Sequence, residues 1–117
     1  MAQQLPTSNE CYIVDKYSSR LFATMSKKRG FAASLKESTD AGRNYLWVTG
    51  GSEYNEIFSS TEYILENGES IEGPNLPIGL AAHTLVGINS TLSMFIGGFN
   101  ALGMSMDSGF DILLRQL

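Results

Sequence analysis

The sequence predicts an all-β chain built from repeated four-stranded antiparallel units, and three observations lead there. Its apolar segments are short, rich in β-branched and aromatic residues, and bounded by Gly, Asn, Ser and Pro, which is the pattern of strands. Two of them end in a glycine pair: Tyr45-Leu46-Trp47-Val48-Thr49 runs into Gly50-Gly51, and Leu92-Ser93-Met94-Phe95-Ile96 runs into Gly97-Gly98, 47 residues later. Other landmarks recur in the same order at nearly the same interval, which turns the coincidence into a repeat. Tyr12-Ile13-Val14-Asp15 matches Tyr63-Ile64-Leu65-Glu66 at an offset of 51, and Phe31-Ala32-Ala33-Ser34 matches Leu80-Ala81-Ala82-His83 at an offset of 49.

Taken in order, residues 1–10 are a polar N-terminal segment, and 11–117 are the repeat region. Strands at 11–15 and 20–23 make a partial unit over about 11–24. A full unit follows over about 31–73, with strands at 31–36, 45–49, 60–66 and 69–73. Asn67-Gly68 between the last two predicts a hairpin with a tight type I′ turn. Gly73-Pro74-Asn75-Leu76-Pro77 then stops strand pairing, because proline lacks the donor a central strand needs, and Pro77 marks a unit boundary. A second partial unit covers about 81–114 and closes on a strand at 110–114. Tyr45-Leu46-Trp47-Val48 and Met94-Phe95-Ile96 are apolar at successive positions, as strands buried on both faces are.

The charge balance of the 117 residues is eight Lys and Arg against twelve Asp and Glu, a net −4. That sign opposes gathering phosphates over a broad surface, so nucleic acid is not an expected partner. Lys27-Lys28-Arg29 is a short basic cluster in a polar turn and reads as a solvated loop. Cys11 is the one cysteine, so no intrachain disulfide and no cysteine-based zinc site can form; beside Tyr12 and Ile13 it reads as a small apolar side chain. The chain shows no basic stretch leading into an apolar run and no apolar run long enough to span a bilayer, which suggests a cytoplasmic protein without a membrane partner. Asn89-Ser90-Thr91 fits the N-glycosylation pattern, but three polar residues between two apolar runs are explained by a turn.

Residues with catalytic chemistry are sparse. His83 is the only histidine, and no carboxylate or cysteine spacing converges on it as a base or metal ligand would require. Glu53, Glu56, Glu62, Glu66, Glu69 and Glu72 lack the Asp/Asn-rich, Gly-punctuated spacing of a calcium loop and read as solvated faces. Gly97, Gly98 and Gly103 are not followed by the helix that a dinucleotide fingerprint needs. No catalytic residue, metal or cofactor is therefore expected, and the chain reads as a non-enzyme.

The period near 50 residues, the four short strands per unit and the Gly-Gly pair ending the second strand resemble the kelch repeat over almost the whole chain. The residues that carry the resemblance are Leu46-Trp47-Val48-Thr49-Gly50-Gly51, Thr61-Glu62-Tyr63, the Leu76-Pro77 turn with His83 beyond it, and Met94-Phe95-Ile96-Gly97-Gly98, with Met25 and Arg29 ahead of Phe31-Ala32-Ala33. The family usually has a tryptophan in the fourth strand, where this chain has Ile71 in one unit and Leu21 or Phe22 in the other; Trp47 belongs to the second strand.

The resemblance implies a partial β-propeller acting as a protein-interaction scaffold, in the manner of kelch proteins that recruit partners for ubiquitin ligation or organise the cytoskeleton. It implies structural roles for Gly50, Gly51, Gly97, Gly98 and His83. The loops after each glycine pair would line the partner face, which makes Arg29, Tyr54, Asn55, Phe99 and Asn100 the binding candidates. The alternative is part of an oxidase-like kelch propeller whose catalytic residues lie elsewhere, since the radical-copper centre of such enzymes needs more histidines than one. A propeller closes with about four to eight blades. Two and a half cannot, so the chain is expected to be a fragment, with the remaining blades or other copies completing the ring.

Overall fold

The computed structural model describes residues 7–39, 41–89 and 92–100, together with the backbone of the strand at 110–114. In chain order the strands are β1 (Glu10–Val14), β2 (Ser19–Thr24), β3 (Ala33–Ser38), β4 (Asn44–Thr49), β5 (Ser52–Glu53), β6 (Glu56–Ile57), β7 (Thr61–Leu65), β8 (Ser70–Glu72), β9 (Leu80–Ala81), β10 (Thr84–Gly87), β11 (Leu92–Ile96), β12 (Phe99–Asn100) and β13 (Phe110–Leu114). The described residues contain no helix, so none is long and apolar enough to cross a membrane. The all-β class read from the sequence holds, and among the described residues every strand pairing is antiparallel.

Three sheets form the body: the β1-β2 hairpin, a four-stranded sheet in the order β3-β4-β7-β8, and a sheet in the order β10-β11-β13. The four-stranded sheet is covered on both faces because β4 is apolar at successive positions. On one face Trp47 packs with Tyr45, Tyr63, Leu76 and Leu80, and with Leu85 and Phe95 of the third sheet. On the other, Val48 and Ile64 pack with Ala23 and Met25, with Cys11 and Phe22 of the hairpin against them. Trp47 stacks on Tyr63 at 6.2 Å between ring centroids, and Tyr45 meets Tyr63 edge-on at 5.4 Å. The strand β11 departs from the expectation of burial on both faces: Ser93 and Phe95 are buried, whereas Ile96 is exposed.

The hairpin at Asn67-Gly68 exists, but its turn is not type I′. The Gly68 amide donates to the Leu65 carbonyl at 2.9 Å, and of the two predicted turn residues only Gly68 has positive φ, at 88°. Glu66 and Asn67 therefore form a type I turn, and Gly68 adds a bulge in the left-handed region. The Asn67 side chain accepts the Glu69 amide at 2.8 Å, which favours this longer loop.

The third strand also begins later than the sequence suggests, at Ala33, because Phe31 has φ of 56° and cannot extend β3. That angle recurs at Ala82, 51 residues on, ahead of β10. Likewise the isolated Gly30–Ser52 bridge has its counterpart in the Ala81–Phe99 pair of β9 and β12. The internal repeat is therefore aligned by Phe31 with Ala82, not with Leu80. All of the shortening to the 47-residue glycine-pair offset falls in the β10-β11 hairpin, whose strand and loop are both shorter than those of β3-β4.

Candidate binding groove

The first glycine pair is a corner where three segments meet. Gly50 and Gly51 have φ of 62° and 94°, and a Cβ on Gly50 would collide with the Leu80 carbonyl oxygen and lie 2.9 Å from the His83 ring. This absence of side chains lets the Gly51 amide donate to the Leu80 carbonyl at 2.7 Å and the Gly30 amide donate to the Ser52 carbonyl at 2.9 Å. The second pair repeats the approach, since a Cβ on Gly98 would stand 2.6 Å from the Ala81 carbonyl oxygen.

Drawn together in this way, the segments around Phe31, Ala82 and Phe99 and the β5-β6 hairpin enclose a groove of about 340 Å³. Among the described residues it is lined by Phe31, Ser52, Tyr54, Asn55, Ile57, Ala81, Ala82 and Phe99, and none of these is charged. The volume lies within the range of small ligand sites. Three aromatic side chains stay open to solvent there: Phe31 at 62%, Tyr54 at 76% and Phe99 at 46% exposure. Phe31, Tyr54 and Ala82, the residues outside glycine with positive φ among those described, all belong to this one lining. Left-handed backbone at an L residue is unfavourable by about 1–2 kcal/mol, and it persists where the surroundings enforce it. Here the Ala82 amide donates to the Phe31 carbonyl at 2.8 Å, fixing two of the three.

Of the residues singled out from the sequence, Tyr54, Asn55 and Phe99 come together in the groove. They sit on short strands and a tight turn, not in open loops: Tyr54-Asn55 join β5 to β6, and Phe99 lies in β12. Asn100 pairs with Leu80 beside the groove, outside its lining. Ala101, Leu102 and Gly103 lie outside the described residues.

Arg29 is placed differently, buried beneath the glycine corner instead of on an accessible face. Its guanidinium donates to Glu62 Oε2, to the Gly50 carbonyl at 2.7 Å, to the Ser60 carbonyl at 2.9 Å and to Ser60 Oγ at 3.1 Å. Glu62 is correspondingly buried, which corrects its reading as part of a solvated face. Burial pushes its carboxyl up, but hydrogen bonds from the Ser70 hydroxyl, the Ser26 amide and Arg29, with the Arg29 charge, outweigh burial and leave it below the usual value. The sequence did hold a signal: Glu62 pairs with Val48 and alternates with Ile64, on a face that has to be covered.

His83 is buried just ahead of β10, with Nε2 2.8 Å from Thr49 Oγ1. Nε2 and the Thr49 hydroxyl share a hydrogen bond whose direction follows the imidazole tautomer, the same hydroxyl lies 3.3 Å from the Ala33 carbonyl, and Nδ1 is buried without a hydrogen-bond partner. Burial holds the imidazole below its ordinary pKa. Burial, then the nearby Glu62 charge, pushes the Cys11 thiol up, away from nucleophilic use. Among the described residues no group of three or more His, Cys, Asp and Glu is placed to hold a metal ion. Asn89 accepts the Leu92 amide at 3.0 Å, as a turn residue does, whereas Ser90 and Thr91 lie outside the described residues.

Compared with known proteins, the chain matches no family model and no curated sequence.

Proposed function

We propose that the chain is a protein-interaction scaffold of kelch-repeat type, that its sheets are blades of a partial propeller, and that partners dock in the Phe31–Tyr54–Phe99 groove. The observation that carries the reading is the concentration of exposed aromatic rings and left-handed backbone in one uncharged concavity. Rigid aromatic anchors dominate interface energies, and backbone strain collects at functional sites. The repeat-like geometry supports the family reading: glycine corners, the matched Gly30–Ser52 and Ala81–Phe99 pairs, and the left-handed residues that follow them. The free Cys11 suits a reducing compartment such as the cytoplasm.

The test is selection from a random dodecapeptide library on the immobilised 117-residue chain. A shared motif should emerge and should vanish when Tyr54→Gly replaces the wild type. Failure to converge, or a motif indifferent to that substitution, counts against the groove.

A further inference from the structure

Deepening that reading, and resting on it, we infer that the groove receives a basic peptide segment, with an arginine or lysine of the partner seated against the rings of Phe31, Tyr54 and Phe99. Aromatic faces carry negative charge density and attract guanidinium and ammonium groups, more strongly where water is excluded. Three open rings in one groove supply such faces from three separate segments of the chain.

The charges on the ribbon that carries Tyr54 have the matching sign. On the hairpin that carries Tyr54, Glu53 stands directly opposite Glu56. Like charges at directly paired strand positions repel each other. A partner's cation relieves that repulsion, whereas a partner's carboxylate adds to it. These two glutamates alternate along the ribbon with Ser52 and Ile57, which line the groove. They therefore face away from it, but a ribbon one strand thick is thinner than the roughly 8–10 Å over which charge acts at moderate salt.

Arg29, the cation buried at the glycine corner, is matched by Glu62 at 3.0 Å. The whole chain, at a net −4, also favours a positive partner. Charge at such a rim acts mainly on association rate and specificity.

The experiment is fluorescence anisotropy of the 117-residue chain with two labelled dodecapeptides, one alternating arginine with leucine and the other alternating glutamate with leucine. The arginine peptide should bind about tenfold more tightly, as a partly desolvated cation–π contact implies, and its affinity should fall as salt rises. The double variant of half-buried Glu53 and exposed Glu56, Glu53→Lys/Glu56→Lys, should remove most of that preference. Tyr54→Gly should weaken the arginine peptide without unfolding the chain, because glycine accepts the left-handed turn.

Equal binding of both peptides, each weakened by Tyr54→Gly, overturns the preference for a cation and leaves the groove as the docking site. No binding by either peptide overturns the inference as well, and the library selection then decides the groove by itself.

Discussion

Arg29 Nε and Arg29 Nη2 both lie 3.0 Å from Glu62 Oε2, and the two side chains keep only 1% and 3% of their exposure. The pair ties the turn at 26–29 to the ends of β4 and β7, because Glu62 Oε1 also accepts the Ser26 amide at 2.7 Å and the Ser70 hydroxyl at 2.6 Å. Removing one member leaves the other buried and uncompensated, which costs about 3–5 kcal/mol. Arg29→Met and Glu62→Leu should each lose stability on that scale in urea unfolding, and the double variant should lose clearly less than their sum. Additive losses would show that the two groups act independently.

The pH dependence should come in two steps. The folded pKa of His83 lies below its ordinary 6.5, so above that pH the ring is neutral in both states and its full contribution is present. As pH falls below 6.5 the unfolded chain takes up a proton that the folded chain resists, and stability declines. Glu62 sits below its ordinary 4.5, so its contribution is present above 4.5 and lost as pH falls through the lower folded value. Unfolding free energy measured from pH 8 to 3 should therefore fall in two stages. His83→Gln should abolish the first and leave the second; a first stage surviving that substitution refutes the assignment.

Two glycines of the same motif should respond unequally to alanine. Gly97→Ala meets nothing within 4 Å and carries only the left-handed backbone cost, about 1 kcal/mol. Gly50→Ala adds a collision with the Leu80 carbonyl and displaces His83, so its loss should exceed that several-fold. Thermal unfolding of the two variants decides it, and equal shifts would mean that the corner yields freely.

Glycine at the groove should act in the opposite direction. Phe31→Gly and Tyr54→Gly relieve left-handed strain at exposed rings, and the gain is partly offset by the freedom glycine has in the unfolded chain. Each variant should be as stable as the parent or more so, by up to about 1 kcal/mol, while weakening peptide binding. Loss of stability in both would mark the rings as packing elements.

The sheets were legible because β4 alternates nothing: a run of Tyr45 to Val48 in a chain without helical periodicity leaves only a doubly covered strand. The glycine pairs located the corner for the same local reason. Arg29 was misplaced because a basic side chain in a polar turn looks solvated, and its partner lies 33 residues away on another strand. Phe31 was taken into a strand because a φ of 56° leaves no mark in the residue type. Tyr54 and Phe99 were found through their position after each glycine pair, but their meeting depends on an approach of segments that only tertiary structure supplies.

The hydrogen bond from Gly51 to the Leu80 carbonyl has a consequence for how the chain comes apart. Leu80 returns the link by donating to the Phe58 carbonyl at 3.1 Å, and Phe58 donates to Gly51 at 2.8 Å, so a closed circuit of main-chain bonds joins the middle unit to the start of the next. Neither unit can fray at that seam without opening the other. Like links in a fastened chain, they are expected to melt together, and damage to the Gly50-Gly51 corner should be felt across the seam.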